Sequence, residues 1–221
     1  MTGNYDVTTR TAASPRPAPA RPASPRLFGT LCAAGGLIAV VGAAWSATLT
    51  SPVSTDQFSW PYSPGLFRGL EAVWTLTNIL TFFGALGLAR SGLAGRGRTA
   101  RIGTPIMLVG MALLVPCELA FIPFAHAATD DAGPVLVGTL IGVASMVAGV
   151  GFILTGVGVL REHALAGAGR FVPLLCGVFV FVGLTPLVMA DGDVFFLGIG
   201  GWNVLLALLG VVIARTATTR E

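Results

Sequence analysis

The sequence predicts an all-α, polytopic membrane protein: six transmembrane helices in one bundle, with the N-terminus and the C-terminus cytoplasmic. Three observations predict it. The chain is 54% hydrophobic and only 10% charged over 221 residues, which is not the composition of a soluble domain. It contains six apolar runs of about 20 residues or more, the length that crosses a bilayer core. Its arginines also alternate with those runs. Arg10, Arg16, Arg21 and Arg26 precede the first, Arg90, Arg96, Arg98 and Arg101 follow the second, Arg161 and Arg170 follow the fourth, and Arg215 and Arg220 follow the sixth. The other connections carry Asp56, Asp130, Asp131, Asp191 and Asp193, with Arg68 the one arginine on that side. Arginine is held back from translocation, so the arginine-rich side is assigned to the cytoplasm.

Residues 1–26 are rich in Pro, Ala and Arg and show no periodic apolar face. Burial there cannot offset the entropy of ordering, so a disordered cytoplasmic tail is expected. The run 27–49 exceeds the apolar core of a signal peptide and is read as an uncleaved first span. The transmembrane domain covers 27–215, with the remaining spans at 67–89, 102–126, 134–160, 171–190 and 194–214; a short cytoplasmic tail, 216–221, follows. The external connection 51–66 holds Pro52, Pro61 and Pro64, which exclude a regular helix, and Trp60 and Tyr62, which suit the headgroup region. Gly138 and Gly142 form a GxxxG on span four, expected to let a neighbouring helix approach and to place this span at the bundle centre. Pro116 and Pro186 lie deep enough to kink their spans.

Polar residues inside spans need a partner or a purpose, because a charged side chain there costs on the order of 2.5–3.5 kcal/mol. Two acids qualify: Glu71 on span two and Glu118 on span three, at similar depth in the outer half of the bilayer. Arg68, Glu71, Thr75 and Asn78 are spaced i, i+3, i+7, i+10, which lays them along one helical stripe facing the bundle interior. Arg68 is placed to neutralise Glu71 or reach Glu118, and His126, at the outer end of span three, to join them. Asn203 on span six is a second intramembrane amide. Two readings stay open: an outward-facing cavity that binds a cation, a proton or a polar solute, and a structural ion network that specifies which helices pair.

Other classes find no support. His126 and His163 fall on opposite sides of the membrane and cannot share a metal or haem. No HExxH, GxSxG, P-loop or CxxC occurs, so no catalytic residue, metal site or cofactor is assigned and the chain is not read as an enzyme. Cys32, Cys117 and Cys176 lie in apolar runs as small buried residues. Asp191 and Asp193 are read as a solvated turn. The net charge of +3 comes from arginines scattered over span ends, which favours anionic lipid headgroups over nucleic acid as partners.

The segments STDQFSWPYS (54–63), GALGLARSGLAG (84–95) and GVGFILTGVGVLR (149–161) resemble the uncharacterised small six-span integral membrane proteins of GC-rich bacteria. The absence of lysine beside abundant Ala, Gly and Arg agrees with such a genome. The resemblance implies the fold and a bacterial cytoplasmic membrane, and no activity. The functional expectation is therefore binding or transport of a small solute, lipid or proton at the polar cluster. The alternative is a non-enzymatic scaffold or accessory subunit that packs against a membrane-protein partner or a second copy.

Overall fold

Helices form over all six apolar runs in the computed structural model, which describes residues 25–190 and 194–218. The expected tail falls outside these residues except for Pro25 and Arg26, which open the first helix; the Asp191–Asp193 turn falls outside them altogether. The spans are α1 (Pro25–Ser46), α2 (Pro64–Arg90), α3 (Arg98–Phe121) and α4 (Ala132–Glu162), then a fifth made of α5 (Val172–Phe179) and α6 (Thr185–Val188), and finally α7 (Val194–Thr218). Among the described residues there is no strand, only one isolated bridge between Gln57 and Ala128.

Local chemistry sets the ends. Pro64 opens α2 at a position that needs no amide donor, and the Ser63 hydroxyl accepts from Leu66 N–H. The chain leaves α4 through His163, whose φ of 51° terminates the helix in the left-handed region. Span three ends as a helix at Phe121, earlier than the expected 126, and passes into a 3-10 turn, Ile122–Phe124, around Pro123. Pro186 lies just after a π-turn, Val180–Leu184. Thr185 closes that wider turn, its N–H and its hydroxyl both donating to Val180 O. Helix α7 runs through 216–218, where a tail was expected.

The spans form a closed ring. Consecutive helices pack side by side, and α7 closes the circle against α1 while touching α2 and the fifth span. The two most extensive seams, α3–α4 and α1–α7, are those where backbones nearly meet. A Cβ on Gly151 would stand 2.1 Å from Met107 N, and one on Gly110 would stand 2.2 Å from Ala148 N. In α1–α7, Gly36 and Gly210 hold the same kind of contact, 2.7 Å and 2.4 Å from Ala207 N and Ala33 N. Dispersion between close backbones drives helix association where lipid supplies no hydrophobic force. The GxxxG expectation needs correcting in place. Gly138 and Gly142 meet nothing within 4 Å, and the packing glycines of α4 are Gly149, Gly151, Gly156 and Gly158, further along. Large apolar side chains point outward from every span, including Leu37, Leu76, Val109, Leu140, Val182 and Leu208. Such a surface is solvated by lipid tails.

Candidate functional site

The polar residues of α2 and α3 meet at the end of the ring where the 47–63 and 122–131 connections lie. Glu71 is buried, and Asn78 and Glu118 are half-buried. Asn78 Nδ2 donates to Glu118 Oε1 at 3.0 Å, and the Glu71 and Glu118 carboxyl groups are in hydrogen-bonding contact across the seam. Glu71 Oε2 is buried and receives no hydrogen bond from any N–H or hydroxyl among the described residues. Thr75 offers none, because its hydroxyl donates to the Glu71 backbone carbonyl at 2.7 Å. Two carboxylates are acceptors only, so a hydrogen bond between the two groups requires at least one proton on the pair. Two full negative charges at about 4 Å would instead repel by roughly 4 kcal/mol at a protein-like dielectric.

Arg68 and His126 do not join this group. Both are exposed, and among the described residues Arg68 makes no salt bridge. Geometry explains Arg68. At about 100° per residue it stands about 80° around the helix from Asn78, and in the first turn of α2 its long side chain leans toward the helix start and solvent. His126 follows the 3-10 turn and lies between Ala125, which is buried, and Ala127, whose carbonyl is taken by the facing connection. That alternation turns the imidazole outward. Asn203 is buried on α7, and its amide is satisfied within its own helix by Ile199 O at 3.0 Å.

A lid covers the carboxyl pair, and its residues were not foreseen. The two connections are stitched together. Phe58 N–H donates to Ala127 O at 3.0 Å, Thr129 N–H and hydroxyl both donate to Asp56 O at 2.9 Å, and Gln57 Nε2 reaches Ala125 O at 3.1 Å. Phe58 then packs on Phe67 and Phe121, with ring centroids 5.7 Å and 5.2 Å apart. Phe67 precedes Glu71 by four residues and Phe121 follows Glu118 by three, so each ring stands one turn nearer the lid on the same helical face. Phe58 therefore sits over both carboxyls. Tyr62 is buried among Ala43, Phe67, Ala125 and Phe196. Its hydroxyl donates to Ser46 Oγ, which in turn donates to Gly42 O at 2.7 Å. Burial pushes the Tyr62 phenol above its ordinary 10.0; the Ser46 bond opposes the rise and the field of Glu71 adds to it. The unusual length and aromatic content of 51–66 were the available signal for this lid; its pairing with 125–131 is a tertiary contact that no local pattern encodes.

Among the described residues no group of three metal-ligating side chains converges. Compared with family models, curated proteins and solved structures, the chain matches none, and the reading of the site stands on its geometry.

Proposed function

We propose that the chain is a proton-linked binding or transport protein for a small solute, with the Glu71–Glu118 pair as its proton site. One observation carries the reading: two facing carboxyls inside the bundle with no cation against them among the described residues. An ion-pair network would have placed a guanidinium there, and Arg68 is turned away. Intramembrane acids that pair with each other are the usual parts of proton relays. The lid supplies the second requirement of such a device, a barrier on one side that can open without disturbing the ring. On the positive-inside rule, the arginine distribution supports an outward-facing lid with the opposite connections toward the cytoplasm.

Proteoliposomes holding a pH-sensitive dye test this directly. Under an imposed potassium diffusion potential, the wild type should carry a proton flux above that of empty vesicles, and Glu71→Gln and Glu118→Gln should bring it to background. A wild-type trace equal to that of empty vesicles removes the transport reading. Under the scaffold alternative, the same substitutions change stability or partner recovery and nothing else.

The lid makes a separate prediction. Phe58→Ala removes two aromatic contacts worth about 0.5–1.5 kcal/mol each. Labelling of Glu71 or Glu118 by an apolar carbodiimide, which attacks protonated carboxyls, should then rise roughly tenfold or more by peptide mass spectrometry. An unchanged labelling rate would mean that Phe58 does not limit access.

A further inference from the structure

The end of the bundle opposite the lid carries a groove of about 360 Å³ between the start of α3 and the end of α4, walled by Arg98, Thr99, Ile102, Leu154, Arg161 and Glu162. Its mouth is cationic. Arg98 and Arg161 are exposed, come from adjacent helices, and make no salt bridge among the described residues. The one acid in the groove, Glu162, offsets one of the two charges and leaves the mouth net positive. The Glu162 carboxylate is committed to the backbone of the α2–α3 connection, accepting Arg96 N–H at 2.6 Å and Gly97 N–H.

One turn deeper the groove becomes apolar. Ile102 is 47% exposed on its wall, and Val109 and Leu113, also exposed, continue along the same face of α3 at spacings of seven and four residues. A cationic mouth that opens onto an exposed apolar track fits one chemical class. We infer that the groove seats the phosphate-bearing headgroup of an anionic phospholipid, with an acyl chain laid along Ile102, Val109 and Leu113. Two planar guanidiniums bind phosphate oxygens as forks, and the surplus positive charge selects a lipid with net negative charge over a zwitterionic one. A soluble phosphate ester would use the mouth and leave the track unused.

The full chain, stripped of lipid in detergent and incubated with equimolar phosphatidylglycerol and phosphatidylcholine, tests this by native mass spectrometry. The wild type should retain phosphatidylglycerol with about a fivefold preference, the value expected from one net near-surface charge. Arg98→Gln with Arg161→Gln should abolish that preference, while Arg26→Gln with Arg90→Gln, at the same end but outside the groove, should leave it. Ile102→Asp, which interrupts the track and spares both arginines, should also release the lipid. Unchanged helicity and elution of each variant show that the fold is intact. Equal loss from the two arginine pairs, or no preference in the wild type, would overturn the proposal. Displacement of phosphatidylglycerol by inorganic phosphate at the same concentration would overturn it in favour of a soluble anion.

Discussion

Gly151→Leu should destabilise the folded chain by about 3 kcal/mol, the upper range for forcing atoms into a packed interior. The side chain has nowhere to go. Its Cβ alone would lie 2.1 Å from Met107 N and 2.4 Å from Met107 Cα, so the backbone of α3 itself must move. That displacement propagates along the most extensive seam of the ring, where Gly110 already holds Ala148 at backbone contact on the other helix. Gly138→Leu is the matched control on the same helix, because nothing lies within 4 Å of that position. Its effect should stay within roughly 0.5 kcal/mol, as for substitutions away from any packed feature. Thermal unfolding in detergent, followed by loss of helical circular dichroism, compares the two. Equal stabilities would mean that the α3–α4 approach described above does not form.

Glu118→Ala should cost about 2–3 kcal/mol, whereas Glu118→Gln should cost under about 1 kcal/mol. The difference follows from what each change leaves behind. Alanine leaves the half-buried Asn78 amide and the buried Glu71 carboxyl both without their partner. Glutamine keeps an oxygen to accept from Asn78 and brings an amide N–H that can donate to Glu71, replacing the proton that the pair now shares. A pair of ionised carboxylates bridged by a bound cation would respond differently, since glutamine would weaken the cation's site as alanine does. Chemical denaturation of the two variants side by side distinguishes these cases. Gln and Ala variants of equal stability would contradict the shared proton.

The parts of this account legible in the sequence are those set by length and period. Span count follows from apolar run length because no water is present in the bilayer core to satisfy an open backbone. The meeting of Glu71, Asn78 and Glu118 follows from a seven-residue helical spacing on α2 and from matched depth on consecutive antiparallel spans. Arg68 was misplaced because a spacing of three residues is neighbourly on a helix surface yet still 60° away around its axis. At a helix end, solvation of a long charged side chain decides where it points. Gly138 and Gly142 misled for a related reason: a GxxxG marks a surface that permits close approach but does not name a partner, and the ring brings its neighbours to Gly149, Gly151 and Gly156 instead. The lid, the π-turn before Pro186 and the commitment of Glu162 to the α2–α3 connection depend on contacts between distant segments. Periodicity carries no information about them.

The central claim is that the Glu71–Glu118 pair is protonated inside the bundle, and infrared spectroscopy of the full chain in bilayers tests it most directly. The account predicts a protonated-carboxyl C=O band that is missing from both Glu71→Gln and Glu118→Gln and that shifts only slowly in heavy water while the lid is intact. A wild-type spectrum whose difference from both variants contains only ionised-carboxylate bands would contradict it.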